Sequence, residues 1–141
     1  QQGLTYWGLG ATSEMVTAWL ALSPATRQRG CMDFVRGSYE KQILPHKDSF
    51  AEDNLLSRGQ DVQVHVAEQD KTSIEIQPGE ISLHHGLTIH GSGANISDDR
   101  RIAAVIRYLS PNVAKEIGAR DYAILARRSD RQGNSIHVAP P

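Results

Sequence analysis

The sequence is short of cysteine, of aromatic residues and of surplus charge. Its one cysteine, Cys31, leaves no intrachain disulfide framework and no multi-cysteine zinc site, and it fits a reducing compartment. Fifteen basic side chains against sixteen acidic ones give a formal charge of -1, so no basic field draws in phosphates and nucleic-acid binding is not expected. Long apolar runs are also missing. The longest early one, residues 15–22, follows Glu14 instead of a basic segment and is far shorter than the ~18 residues of a membrane span. It reads as neither a span nor a signal peptide, so a soluble, cytoplasmic protein without membrane partners is expected.

What is present suffices for a core. Hydrophobic residues make up 39% and charged residues 22% of 141 positions, which excludes a disordered tail, a collagen-like repeat and a membrane bundle. A chain of this length buries roughly two thirds of its unfolded surface and fits one domain, here residues 1–141. The chain opens Gln1-Gln2-Gly3, without methionine, and runs at once into Leu4-Thr5-Tyr6-Trp7. A domain that starts inside a strand is expected to have been processed or cut, or to derive from a fragment.

Strand patterns dominate. Residues 62–66 (VQVHV) alternate strictly, as a half-buried strand does, and residues 74–76 do so more briefly. Residues 68–71 between them are polar and turn-like. Pro78-Gly79 signals a turn ahead of a strand over residues 80–85, and Thr88-Ile89-His90 restarts one after Gly86. In residues 101–109, Arg101, Ala103, Val105 and Arg107 share one parity while Ile102, Ala104, Ile106 and Tyr108 share the other. Residues 6–9, 16–22 and 31–35 complete the set. Residues 49–58 and 113–117 offer no more than a helical turn each, and a loosely held tail is expected from about residue 127. Many short strands about ten residues apart predict an all-β sandwich or a barrel-like jelly roll.

The stretch that carries chemistry is residues 79–108. A strand ends in His90, Gly91-Ser92-Gly93 and a polar loop with Asn95 and Ser97 follow, and a strand resumes at Arg100-Arg101. In a jelly roll this places an imidazole and a guanidinium on neighbouring strands. Arg101 offers a planar fork suited to a carboxylate, and Ser92 shares the parity of His90 and could add a hydroxyl donor. A histidine ligand beside a carboxylate clamp suits a metal enzyme with a chelating keto-acid co-substrate.

The pattern His-Gly-Ser-x-x-Asn-x-Ser-x-x-x-Arg, from His90 to Arg101, resembles the C-terminal signature of the phytanoyl-CoA dioxygenase family of iron(II)- and 2-oxoglutarate-dependent oxygenases. Leu4-Thr5-Tyr6-Trp7, Val16-Thr17-Ala18-Trp19, Gly30-Cys31-Met32, Gly37-Ser38-Tyr39 and Leu44-Pro45-His46 are similar to that family too. The resemblance runs from about residue 4 to about 110 and corresponds to the C-terminal half of a family member. It implies a double-stranded β-helix (jelly roll), truncated at the N-terminus, with His90 as the distal iron ligand. It further implies that Arg101, helped by Ser92, binds the distal carboxylate of 2-oxoglutarate, with Trp19 near that co-substrate. The implied reaction is oxidative decarboxylation of 2-oxoglutarate coupled to hydroxylation of a small organic substrate.

The sequence also departs from the family. The His-x-Asp pair that supplies two of the three iron ligands aligns with Gln1 and Gly3, and one imidazole with a neutral amide does not rebuild a 2-His-1-carboxylate triad. Three readings stay open. Gln1-Gln2-Gly3 is a scar or the edge of a truncated frame; or the chain is a catalytically inactive, metal-free descendant that serves as a ligand-binding or interaction module; or His84, His85 or His46 substitutes as ligand. Loss of N-terminal strands would expose sheet edges and apolar surface, so a homodimer or higher homo-oligomer is expected.

Plainer roles compete for the same residues. His90 can be a hydrogen-bonded core histidine, and Arg101 a structural ion-pair partner of Asp98 or Asp99. His84 and His85, adjacent, point to opposite faces of a strand and do not form a clamp with each other. Arg100 and His65 read as solvent-facing, His46 as a surface loop residue, Trp7 and Phe34 as core, and Cys31 as a small buried hydrophobe. Asp48, Glu52 and Asp53 read as a solvated acidic loop.

Overall fold

In the computed structural model the described residues are 2, 14–40, 44–48, 60–62, 65–110, 123–124, 126 and 135–136. Among the described residues, short β-prone segments form ten strands: β1 (Met15–Ala21), β2 (Met32–Val35), β3 (His46–Asp48), β4 (Gln60–Val62), β5 (Lys71–Ile74), β6 (Ile81–His85), β7 (His90–Ser92), β8 (Ala103–Leu109), β9 (Ala123–Ile124) and β10 (Ser135–Ile136). Among the described residues the only helical turns are two three-residue 3-10 segments, Ser38–Glu40 and Glu68–Asp70. No helix among them is long and apolar enough to cross a membrane.

Two three-stranded antiparallel sheets organise the site, one in the order β6-β1-β8 and the other β5-β2-β7. The chain winds between them: β1 lies in the first, β2 and β5 in the second, β6 in the first, β7 in the second and β8 in the first. This alternation is that of a double-stranded β-helix, the all-β jelly roll expected from the sequence. Antiparallel β3 and β4 pair with each other, as do parallel β9 and β10.

Register decides which side chains look inward, because residues opposite one another across a ladder share a face. In the first sheet Thr17 lies between His84 and Arg107, Trp19 between Ser82 and Val105, and Ala21 opposite Ala103. In the second, Phe34 lies between Thr72 and His90, and Met32 between Ile74 and Ser92. These faces meet. Trp19, Ala21, Ala25 and Cys31 form a buried cluster against which Met32, Ile76 and Ala103 pack, and the rings of Phe34 and His84 lie 5.0 Å apart. The opposite face of the first sheet leaves Val16, Ile81, Leu83, Ile106 and Tyr108 exposed.

The strands predicted over residues 16–22, 31–35, 80–85 and 101–109 are β1, β2, β6 and β8, each within two residues of its expected ends. Of the alternating stretch 62–66, Val62 stands in a ladder, His65 and Val66 do not, and residues 63–64 lie outside the described residues. The described pairs of β4 with β3 are Val62 with His46, Asp61 with Lys47 and Gln60 with Asp48, and residues 65–67 run without a ladder into the Glu68–Asp70 turn. β5 begins and ends earlier than the 74–76 pattern suggests; Ile76 makes a single bridge, to Ala25. His46 stands in β3 and not in a loop. The expected strand at residues 6–9, the turns in 49–58 and 113–117, and Trp7, Gln1 and Gly3 lie outside the described residues.

Candidate functional site

His90 opens β7, and the loop before it is fastened from several sides. The Thr88 carbonyl lies 2.8 Å from His90 Nδ1. A carbonyl only accepts, so Nδ1 carries the proton and Nε2 keeps the lone pair, the tautomer an imidazole ligand needs. Next to it, the Ile89 amide donates to Ser38 Oγ (2.9 Å), which donates to the Val35 carbonyl (2.7 Å). Further back, the fully buried Gln2 side chain donates from Nε2 to the Leu87 carbonyl (2.8 Å) and accepts through Oε1 from the Leu44 amide (2.9 Å). A buried amide satisfied at both ends works as a clip between two loops.

Facing His90 across the sheets is His84. Their ring centroids are 4.9 Å apart, and Phe34 packs against both, at 5.0 Å from His84 and 6.0 Å from His90. Burial pushes the pKa of His84 down to about 4, aided by the neighbouring His90 and by Arg107. Burial likewise takes His90 to about 4 against the opposing hydrogen bond to Thr88, with Arg107 adding repulsion. Both rings are therefore neutral near pH 7. His84, 9% exposed, has a buried Nδ1 without a hydrogen-bond partner. His85 points to the other face, toward Tyr39 at 5.8 Å, so the adjacent histidines are split as strand geometry requires. His84 also borders an open cleft of about 450 Å³ with Phe34, Tyr39, Thr72, Ser82 and Thr88.

Arg101 precedes β8 on the inward parity. Its guanidinium carbon lies 5.9 Å from the ring centroid of Trp19, and its Nη1 donates to the Gly30 carbonyl. Trp19 is 8% exposed and forms a rigid apolar floor for the cation. The backbone around Arg101 is stapled by Ser23, whose hydroxyl donates to the Arg100 carbonyl (3.1 Å) and accepts from the Ile102 amide (2.7 Å). The signature residues Asn95 and Ser97 are structural. Asn95 Nδ2 donates to the Asp99 carbonyl (2.7 Å), and Asn95 Oδ1 accepts from the amide and the hydroxyl of Ser97 (3.0 and 2.8 Å). Asp99 pairs with Arg29, and among the described residues no carboxylate forms an ion pair with Arg101. The ion-pair role for Arg101 is thereby set aside.

The structure thus joins Trp19 to Arg101 and places His90 and Ser92 on the facing sheet. Ser92 is exposed and lies opposite Met32, which packs on the cluster containing Trp19. Sequence reasoning gave no site role to Ser23, Gly30 or Thr88, whose parts are played by one hydroxyl and two backbone carbonyls. His84 appeared only as a substitute ligand; the shared parity of His84 with Thr17 and Arg107 becomes visible once register is known. Among the described residues no group of three His, Cys, Asp or Glu side chains is placed to hold a metal, while the tautomer of His90 fits one ligand position.

A family model described as "Phytanoyl-CoA dioxygenase (PhyH)" matches residues 1–103. A "Probable phytanoyl-CoA dioxygenase" of Caenorhabditis elegans is 27% identical over 116 residues, covering 82% of this chain and 37% of that protein. The peroxisomal phytanoyl-CoA dioxygenase of Homo sapiens is 25% identical over 109 residues, covering 77% and 32%. Among solved structures, the apo form of a non-heme monooxygenase, ThoJ, aligns with a TM-score of 0.75 at 29% identity, over 96% of this chain and 48% of that one. EvdO2 from Micromonospora carbonacea var. aurantiaca, complexed with 2-oxoglutarate, aligns with a TM-score of 0.68 at 25% identity, over 78% and 44%. The chain spans about a third of the curated relatives' length and about half of these structures. With the model matched from residue 1 to 103 and the jelly-roll winding in place, the chain belongs to the phytanoyl-CoA dioxygenase family.

Proposed function

We propose that this chain provides the keto-acid clamp and the distal metal ligand of an iron(II)- and 2-oxoglutarate-dependent oxygenase acting on a small organic substrate. The observation that carries this reading is Arg101: an inward-facing guanidinium above Trp19, positioned through Gly30 and Ser23, with no carboxylate partner among the described residues. A half-buried cation without a counterion is stabilised by an arriving carboxylate, and a guanidinium binds one through paired N–H donors. Ser92 adds a hydroxyl on the facing sheet. His90, its Nδ1–H held by Thr88, offers Nε2 to the metal. An iron(II) ion held there would supply the dioxygen chemistry of oxidative decarboxylation and C–H hydroxylation. The protein's part is to orient the keto acid on the Arg101 guanidinium, which Trp19 supports from below, and to keep the histidine neutral in an apolar setting.

Calorimetry with manganese(II), then with 2-oxoglutarate, tests this. Keto-acid binding that requires the metal and is lost in Arg101→Ala supports the oxygenase reading. Binding of 2-oxoglutarate at Arg101 without any metal supports the metal-free binding module, and no binding of either refutes both. The exposed apolar face of the first sheet, with Leu83 at 65% and Ile81 at 54% exposure, favours self-association of the chain, which light scattering reads directly.

A further inference from the structure

The proposed function uses His90 and leaves its neighbour across the sheets without a role. We propose that His84 is a second imidazole ligand, so that His84 and His90 together hold a divalent transition metal between the two sheets. The inference rests on the oxygenase reading for the role of His90 and adds a ligand drawn from this chain's own residues.

Geometry supports it first. Two imidazoles bound to one ion at about 2.0–2.1 Å, with a ligand angle of about 90–109°, place their ring centroids about 4.5–5.2 Å apart. His84 and His90 are 4.9 Å apart, with ring planes 52° from each other. They stand on different sheets, in β6 and β7, and Phe34 packs against both, so the pair is held by two sheets and a common wall.

The second support is the orphaned nitrogen. Buried polar atoms in folded proteins are almost always satisfied, and an unsatisfied one costs about 1–3 kcal/mol. His84 Nδ1 is buried and has no partner, and a metal ion would use that lone pair. His90 enters with Nε2, since its Nδ1 proton is committed to Thr88. Arg107 shares the inward face with His84. Its positive charge disfavours a bare dication and favours one accompanied by an anionic chelator. The pair should therefore bind cobalt(II) more tightly when 2-oxoglutarate is present.

The test is cobalt(II) binding to the full chain, read by calorimetry and by the visible ligand-field spectrum, with and without 2-oxoglutarate. His84→Phe keeps the ring volume and removes both nitrogens, His84→Gln keeps polarity, and the exposed His65→Gln controls for adventitious histidine binding. The expected result is a loss of affinity of about tenfold or more in His84→Phe and in His90→Phe, with none in His65→Gln. Metal binding weakened by His90→Phe but not by either His84 variant overturns the assignment and leaves the oxygenase reading standing. Absence of cobalt(II) binding by the unmodified chain, even with 2-oxoglutarate, overturns both. Histidine 15N NMR of the unmodified chain with zinc(II) needs no variant to fold: shifts at His84 Nδ1 and His90 Nε2 support the pair, and an unmoved His84 signal refutes it.

Discussion

Gly30 is the position where one methyl group should do the most damage. It sits at the end of the turn that carries the chain from β1 to β2, at φ +65°, a conformation that costs an L-residue about 1–2 kcal/mol. Space is shorter still. A Cβ there would lie 2.4 Å from the Gly93 carbonyl oxygen and 3.0 Å from that of Ala94. Both are backbone atoms that no rotamer change can move, so the loop after β7 must retreat by about 0.6 Å, at an overpacking cost of about 1–3 kcal/mol. Gly30→Ala should therefore lose about 3 kcal/mol.

Gly37 provides the control. It has φ +72° with nothing within 4 Å of its would-be Cβ, so Gly37→Ala bears the conformational cost alone, about 1–2 kcal/mol. For a chain of this size each kcal/mol moves the melting midpoint by about 3 °C, so the two variants should separate by several degrees in a thermal melt. Function should separate with them. Gly30 supplies the carbonyl that accepts from Arg101, so Gly30→Ala should also weaken 2-oxoglutarate binding in conditions where it is fully folded, while Gly37→Ala should not. Equal melting midpoints and equal keto-acid affinity in the two variants would refute the close-approach argument.

Acid should destabilise the chain through its buried histidines. His84 and His90 titrate near 4 when folded against 6.5 when unfolded, so the unfolded chain binds more protons between those values. Stability is full above about pH 6.5 and falls as the pH drops toward 4, by at most about 3 kcal/mol for either ring. Urea midpoints at pH 7.5 and 4.5, measured with a chelator present, check the direction, and His84→Phe should flatten the profile. Arg101→Lys should keep the charge yet lose the paired donors and the Gly30 contact, cutting 2-oxoglutarate affinity by about tenfold, as calorimetry would show. Ser23→Ala removes the hydroxyl that joins the Arg100 carbonyl to the Ile102 amide and should cost about 1–2 kcal/mol in chemical denaturation. Leu83→Lys, on the exposed apolar face, should lower the mass found by light scattering without changing the melting midpoint by more than about 0.5 kcal/mol equivalent.

The parts of the site that could be read from the sequence were those written in side-chain identity and period. Alternation over residues 101–109 placed Arg101, Ala103, Val105 and Arg107 on one face, and register confirms that this face looks toward Thr17, Trp19 and Ala21. Adjacency alone separated His84 from His85. The parts that stayed hidden depend on where backbone comes near backbone. Nothing local marks Ser23 as the staple of a strand 77 residues further along, or Thr88 as the carbonyl that sets the tautomer of His90. The pattern at residues 74–76 shows the converse limit. Its alternation marks a strand, but a ladder extends only as far as its partner: β5 pairs with β2 over Lys71–Ile74, and Ile76 is left with a single bridge to Ala25.

The same distinction explains why the spaced signature from His90 to Arg101 is informative although few of its residues belong to the proposed keto-acid site. Asn95 and Ser97 close a turn on themselves and on the Asp99 carbonyl, Asp99 binds Arg29, and the Ile96 amide donates to the Gln28 carbonyl at 2.9 Å. The loop is thereby tied to the turn that ends in Gly30, the residue whose carbonyl holds Arg101. A loop that swings freely would spread the guanidinium over many positions and lose the entropy advantage of a fixed clamp. One tied at both ends presents it in a single place. The spacing of eleven residues between imidazole and guanidinium is therefore a property of the tie, and shortening the loop while leaving His90 and Arg101 intact should remove keto-acid binding as completely as removing Arg101 itself.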